Sequence, residues 1–290
     1  KKEEEQIDNL KIVRIYFPSK SKIQNQWTKF KLYLKEINSY PRFDLIHVNV
    51  TYPVGLVALY LKLTKKIPYV ITEHWTGFLP QDPAHIPFVK LFLMKKIVKN
   101  SSYLLPVSDN LGKAMSNLGL KQQTKTIRNV IDFDIFNSTN HIKNEIPKFL
   151  HISNLTFQKN CDGILKVTER LWKDNYVFEL HIGGNGDLEP FYRYKNTSDF
   201  ADKLVLFGAL SQQEVAAKMN EATVFILFSR FENQPCVQIE SFACGLPVIA
   251  TDVGGISEVF PTGFGQIIPS ENEEELYQSL KEILDNKTHF

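Results

Sequence analysis

Short runs of Val, Ile and Phe, each too brief for a helix, recur from one end of the chain to the other with helix-period segments between them. Strands are predicted over 11–17, 44–50, 68–72, 103–107 and 125–130, and then over 148–153, 177–182, 203–207, 223–228 and 247–251. Helical patterns cover 27–37, 54–63, 86–99, 160–173 and 273–284. Strands that alternate with helices are wired as βαβ units, so the sheets are parallel and the fold class is α/β. The polar interval 137–147 (NSTNHIKNEIP) has little apolar content and ends in Pro. It divides the 290 residues into two parts of about the usual domain length of ~150 residues. The expected architecture is two Rossmann-like, doubly wound domains, 1–139 and 140–290.

Charge supports that division. The net charge of +2 conceals residues 1–135, with 21 basic and 11 acidic side chains, and residues 136–290, with 13 and 21. A first half at +10 and a second at −8 point the first toward something anionic. Its segment 87–99 (PFVKLFLMKKIVK) sets Phe88, Leu91, Phe92 and Met94 beside Lys90, Lys95, Lys96 and Lys99. That pattern fits either a sheet-covering helix with outward lysines or an amphipathic helix lying on an anionic membrane surface. Three cysteines without CxxC spacing point to a reducing, cytoplasmic compartment. The longest apolar stretches, near 54–61 and 224–228, fall far short of the ~18 residues a spanning helix needs. The charged opening segment, where a doubly wound domain would start with a strand and a glycine turn, implies an N-terminal domain that is incomplete.

Ligands of open parallel sheets bind beyond the carboxyl ends of the strands, so the residues following each strand carry the chemistry. After 177–182 comes Gly183-Gly184-Asn185-Gly186-Asp187. It is either a tight turn or a place where backbone approaches a phosphate or ribose closely. Glu189 stands where a dinucleotide fingerprint needs its third glycine, which argues against an NAD-dependent dehydrogenase. After 223–228 comes Ser229-Arg230-Phe231-Glu232-Asn233-Gln234-Pro235, then the apolar helical run 236–244. Pro235 suits a first helical turn, whose free amides and dipole favour a diphosphate. Glu240 lies on that helix among apolar residues, where a carboxylate is costly unless it holds polar ligand groups such as sugar or ribose hydroxyls. Lys159 follows the strand at 148–153 and can supply a point charge to phosphate or remain a surface lysine. His74, after the strand ending at Thr72, can donate to an oxyanion or a hydroxyl.

The run from Glu232 through Glu240-Ser-Phe-Ala-Cys-Gly-Leu-Pro-Val-Ile-Ala-Thr-Asp-Val-Gly-Gly-Ile-Ser-Glu258 closely resembles the donor-site signature of group 1 glycosyltransferases, the retaining GT-B enzymes of glycosyltransferase family 4. Val107-Ser108 with Leu111, the segment 127–136 (IRNVIDFDIF), and the segments 149–159 and 182–187 resemble further motifs of the family, so the likeness covers roughly 44–285. It implies a GT-B fold, two Rossmann-like domains facing across a cleft. It also implies transfer of a hexosyl group, with retention, from a UDP- or GDP-sugar to a glycan or lipid-linked acceptor in cell-surface polysaccharide synthesis. Carried over by position, Glu240 holds the ribose. Glu232 and the loop Asn233, Gln234, Pro235, Cys236 and Val237 hold the donor sugar and diphosphate. Lys159 neutralises the departing diphosphate, His74 contacts the sugar near the reacting carbon, and Gly184, Asn185 and Gly186 line the donor site. No metal and no cofactor are implied, because Lys159 and the helix amides meet the charge. Asn154 stands where the family usually has Arg, and Asn-Gln-Pro where Gly-Phe/Leu-Pro is common.

Three other readings compete with it. Asp132-Phe133-Asp134 has the spacing of a metal-binding DxD motif but falls just before the linker. A sugar-nucleotide-binding subunit without catalysis is compatible with Asn154. Nucleic-acid binding lacks aromatic–basic interleaving beyond Phe30-Lys31-Leu32-Tyr33.

Overall fold

The computed structural model describes residues 1–18, 21–138 and 145–287, and the chain divides into two compact units. The first comprises Lys1–His74, Ile86–Leu105 and Gly119–Lys125, and the second Trp75–His85, Pro106–Leu118 and Thr126–Phe290. The boundary expected at 139/140 lies outside the described residues. Three segments before it, Trp75–His85, Pro106–Leu118 and 126–138, cluster with the second unit.

The first unit opens with an antiparallel hairpin, β1 (Lys2–Ile7) and β2 (Leu10–Ile15), in which Lys2 faces Ile15 and Glu4 faces Val13. The charged opening segment is therefore a strand. Its sequence, KEEEQI, carries no apolar alternation because the hairpin is mostly exposed; Glu4 meets Lys2 at 2.7 Å and Lys11 at 2.8 Å instead. Then come α1 (Lys22–Ile37), β3 (Ile46–Asn49), α2 (Gly55–Lys65), β4 (Tyr69–Glu73), α3 (Phe88–Asn100) and β5 (Tyr103–Pro106). The strands form a sheet in the order β3-β4-β5, with β3 and β4 parallel. Val48, Ile71 and Leu104 from the sheet and Leu61, Met94 and Ile97 from α2 and α3 are fully buried. The strand predicted over 125–130 is absent. Beside one bridge between Leu104 and Thr124, the Lys125 amide donates to the Leu104 carbonyl at 3.1 Å and the Ile127 amide to the Pro106 carbonyl at 3.0 Å, and the Asn129 amide then turns to the Gln234 side chain.

The second unit holds α4 (Asp109–Asn117), β6 (Lys148–Ser153), α5 (Cys161–Lys173), β7 (Glu179–Gly184), α6 (Glu189–Thr197), β8 (Leu204–Phe207) and α7 (Gln212–Glu221). They are followed by β9 (Val224–Leu227), α8 (Cys236–Ala243), β10 (Val248–Thr251), β11 (Gly265–Ile268) and α9 (Glu273–Leu284). Its six strands are all parallel, in the order β11-β10-β9-β6-β7-β8. Both faces are covered, so β9 reads as the continuous apolar run VFIL. Val224 and Ile226 pack with Ile164 and Leu171 of α5 and Leu276 and Leu280 of α9, while Phe225 and Leu227 pack with Met219 of α7 and Cys244 and Leu246 after α8. The chain winds outward in one direction from β6 through β7 and β8, and in the other from β9 through β10 and β11. The two directions part between β6 and β9, and the crevice at such a switch point is where doubly wound sheets take their ligands.

Candidate functional site

The loops leaving β6 and β9 meet at this switch point. The β6 loop ends in a short 3-10 turn, Phe157–Lys159, and the β9 loop runs from Phe228 to Pro235. Lys159 Nζ lies 2.5 Å from Glu232 Oε1, with the two side chains only 12% and 5% exposed. Ser229 Oγ donates to the same oxygen at 2.8 Å, and Gln158 Nε2 donates to Glu232 Oε2 at 3.1 Å and to the Phe231 carbonyl at 2.8 Å. A carboxylate removed from water is tolerable only with this many donors. Lys159, expected as a point charge for phosphate or a surface lysine, is thus an ion-pair partner, and Glu232 is a buried hub of the loop.

The rest of the loop is fixed from three sides. Gly254, with φ of +60°, passes so close that a Cβ there would sit 1.6 Å from the Glu232 carbonyl oxygen, and the Gly255 amide donates to the Asn233 carbonyl at 2.8 Å. Only glycine permits that approach. Asn129 grips Gln234 twice, its amide donating to Oε1 at 2.6 Å and its Nδ2 to the backbone carbonyl at 2.7 Å. Glu258, which closes the signature, accepts the first two amides of α4, from Asp109 at 2.8 Å and Asn110 at 2.7 Å. There it does what a carboxylate does at a helix N-terminus. Ser108 caps the same helix by accepting from the Leu111 amide at 3.1 Å. Asn129 and Glu258 received no role from the sequence. The motifs 127–136 and 232–258 contain them, but only the fold shows that each motif fastens the other.

Helix α8 begins at Cys236, so Pro235 is its cap rather than a first-turn residue, and it offers no side-chain acceptor to the leading amides. Asn233, Gln234 and Pro235 are buried, Val237 is half-buried and Cys236 is exposed. The buried Gln234 Nε2 has no hydrogen-bond partner among the described residues. Glu240, expected to be buried, is half-buried on α8, and its carboxylate has no side-chain partner among the described residues. Desolvation holds its pKa above the ordinary carboxylate value of 4.5.

The glycine run begins inside β7, whose last two residues are Gly183 and Gly184. Gly184 has φ of +128°, and a Cβ there would meet the Ser153 carbonyl oxygen at 2.0 Å; one at Gly186 would meet that of Asn154 at 2.3 Å. These glycines let the β7 turn lie flat against the β6 turn, which accounts for them as packing. Asn185 and Gly186 are exposed, and Asp187 Oδ1 accepts the Glu189 amide at 3.0 Å at the start of α6. Asn154 is exposed, with its Oδ1 accepting from Thr156 Oγ1 at 3.0 Å.

Beneath the β6 turn is a residue that the sequence reading passed over. His151, fully buried, bonds the Ile226 carbonyl through Nδ1 at 2.8 Å and Ser153 Oγ through Nε2 at 2.8 Å, with Cys161 Sγ 3.4 Å from Nε2. Ser153 Oγ in turn accepts the Leu155 amide at 3.0 Å. Burial lowers the His151 pKa to about 4 and raises that of Cys161 to about 12, so both are neutral near pH 7. The one sequence signal was a histidine inside an otherwise apolar strand, FLHIS.

His74 lies on the first unit, exposed, just past β4. Its amide donates at 3.0 Å to the buried Glu73, which also accepts the Thr51 amide at 2.8 Å and Thr51 Oγ1 at 2.6 Å. Glu73 therefore ties the chain after β4 to the chain after β3. Asp132 and Asp134 sit in a turn in which Asp132 Oδ1 accepts the Asp134 amide at 2.9 Å. Among the described residues no group of three or more His, Cys, Asp or Glu side chains is placed to hold a metal ion.

Comparison with known proteins bears on this arrangement. The family Glycosyl transferases group 1 matches residues 132–289, which takes in the loops after β6 and β9, and Glycosyltransferase Family 4 matches residues 1–135. The chain belongs to the group 1 glycosyltransferases. The alpha-monoglucosyldiacylglycerol synthase of Streptococcus pneumoniae is 22% identical to this group 1 chain over 235 residues, 74% of the chain and 53% of that protein. The chain spans between 53% and 71% of the length of the first curated relatives it matches. Among solved structures, sucrose-phosphate synthase from Thermosynechococcus elongatus superposes with a TM-score of 0.85 at 19% identity, over 98% of this chain and 76% of that one. Anabaena HepE in complex with UDP-glucose gives 0.75 at 17% identity, over 89% and 74%. The fold of this group 1 chain is that of the GT-B glycosyltransferases, as the signature implied.

Proposed function

We propose that the chain is a retaining, metal-independent glycosyltransferase that moves a hexosyl group from a nucleoside-diphosphate sugar to a glycan or lipid-linked acceptor. The single observation that carries this reading is the division of labour at the switch point. The β6 and β9 loops bring a cation, Lys159, to Glu232, and α8, which follows, has no side-chain cap and carries a half-buried acid, Glu240, with no partner among the described side chains. An ammonium has three donors, so the bond to Glu232 leaves two for a diphosphate. A carboxylate without internal partners suits the paired hydroxyls of a ribose. In the reaction the bond from the anomeric carbon to the diphosphate oxygen breaks and a bond to the acceptor oxygen forms on the same face. The acceptor proton leaves with the phosphate. Lys159 and the α8 amides stabilise the charge that grows on the leaving group, which is the largest service a site of this kind performs. UDP is the favoured nucleotide because HepE, of the same fold, is solved with UDP-glucose.

Calorimetric titration with UDP, GDP and ADP tests the reading. One nucleotide should bind in the micromolar range, unaffected by EDTA and lost in Glu240→Ala. Binding of none, or binding that survives Glu240→Ala, would sink the donor-site assignment. The role given to His74 is tested separately. His74→Ala should lower kcat and leave nucleotide affinity unchanged.

A further inference from the structure

Helices α1, α2 and α3 of the first unit carry ten lysines and a single acid, Glu36, which is itself paired with Lys2 at 2.9 Å. Such an imbalance on a folded surface normally goes with a fully polar face. Here it does not. On α3 the side chains that point away from the buried Met94, Ile97 and Val98 are Phe88, Val89, Phe92, Lys95, Lys96 and Lys99. Phe88 is 82% exposed and Phe92 51%. At 100° per residue, Phe88, Phe92, Lys95 and Lys99 fall along one stripe, apolar at its start and basic at its end.

Beside that stripe is an apolar groove of about 760 Å³, lined by Trp27 and Phe30 of α1, Leu56, Tyr60 and Leu63 of α2, and Leu93 of α3. Trp27 is 61% exposed, Leu63 59% and Tyr60 45%. Single exposed apolar side chains need no explanation, but a contiguous set spread over three helices does. A nucleic acid or an acidic protein would account for the lysines and leave the phenylalanines and the groove in water. A bilayer accounts for both, because apolar side chains enter the boundary between headgroups and acyl chains while lysines meet the lipid phosphates.

We propose that the α1–α3 face of the first unit docks on an anionic lipid bilayer, with Phe88, Phe92 and Trp27 entering the interface and Lys95, Lys96 and Lys99 meeting the phosphates. None of these residues belongs to the nucleotide site, so the two readings fail independently.

The test is co-sedimentation of the purified chain with phosphatidylcholine vesicles and with vesicles to which phosphatidylglycerol has been added. Binding should appear on the anionic vesicles and fall with salt. Replacing Lys95, Lys96 and Lys99 by Gln should weaken it about fivefold per lysine, about a hundredfold for the three. Phe88→Ser with Phe92→Ser should weaken it about tenfold while the salt dependence remains. Trp27 should supply a blue-shifted emission on the vesicles that is missing from Trp27→Phe. Circular dichroism and thermal unfolding of each variant report that it is folded. Equal binding to both vesicle types would overturn the proposal. So would binding to a soluble polyanion with the Trp27 shift absent on vesicles, or self-association that buries Trp27 without lipid.

Discussion

The loop after β9 and the helix that follows it each carry a glutamate removed from bulk water, and they treat it in opposite ways. Glu232 in the loop is surrounded by Lys159, Ser229 and Gln158, every one within hydrogen-bond reach. Glu240 on α8 is half-buried, finds no partner among the described side chains, and is held above its ordinary pKa by the loss of water alone. The first acid organises the fold around itself. The second is a cost the fold carries, and such costs persist where an outside group relieves them. Two glutamates eight residues apart are too common a spacing for the sequence to tell them apart. The structure gives them different surroundings, one saturated with donors and one without a partner among the described side chains.

The sharpest way to break this contrast is to remove the partner of the saturated acid. Lys159→Ala strands the Glu232 carboxylate and should cost about 3–5 kcal/mol of stability, read by denaturant unfolding, with transfer abolished. Adding Glu232→Gln to it should return much of the stability and none of the activity. If the double variant is no more stable than the single one, the pair does not organise the loop and Glu232 loses its internal role.

His151 extends the saturated region downward, since it props Ser153 and so the turn that leads to Lys159. Its pKa is lowered to about 4 from an ordinary 6.5. A lowered pKa gives stability that is present above 6.5 and is lost as pH falls through about 4. That difference corresponds to on the order of 3 kcal/mol. Thermal unfolding of the chain followed from pH 7 to pH 4 should show this decline, and His151→Asn should be less stable at pH 7 with a flatter profile over the same window. Parallel profiles for the two proteins would place the titration elsewhere.

Glu240 predicts the reverse sign. Its raised pKa gives stability that is full below 4.5 and is lost as pH climbs through the raised value. Glu240→Gln should therefore melt higher than the parent at pH 7 and indistinguishably from it well below pH 4.5. In the same variant nucleotide affinity should fall about a hundredfold, the worth of about one strong charge-assisted hydrogen bond. A substitution that stabilises the protein while disabling it is the signature expected of a residue kept for a ligand. Loss of both together would mean that Glu240 is structural.

How much of this the sequence disclosed follows the same line. Most of the second unit was legible because buried parallel strands announce themselves as apolar runs, as in β9, whereas β11, the short half-buried strand GQII at the sheet edge, was not predicted. The hairpin β1–β2 was hidden because its strands are mostly exposed and charged, and the run at 125–130 misled because it has strand composition while Asn129 is drawn off to Gln234. At the site, the resemblance to the group 1 signature pointed to Lys159, Glu232 and Glu240, but position along a chain says nothing about which charges touch. The Lys159–Glu232 contact joins positions 73 residues apart. Asn129, Glu258 and His151 escaped for the same reason, since each acts through a partner remote in sequence.

The weakest expected effect bears on the one position where the family signature and this chain differ in charge. Asn154 is exposed at the start of the β6 turn, with its side chain engaged only by Thr156 among the hydrogen bonds described. Asn154→Arg would add a planar donor fork beside the turn that carries Lys159, and Arg pairs with phosphate through two parallel bonds. The position is open to water, so the gain should be about 1 kcal/mol, roughly fivefold in nucleotide diphosphate affinity. It should shrink as salt rises and should be absent for the nucleoside alone. Stability should not change, because no buried group gains or loses a partner. An equal gain for nucleoside and nucleotide would show that the new side chain meets the base or ribose, and the diphosphate would then have to lie away from the β6 turn.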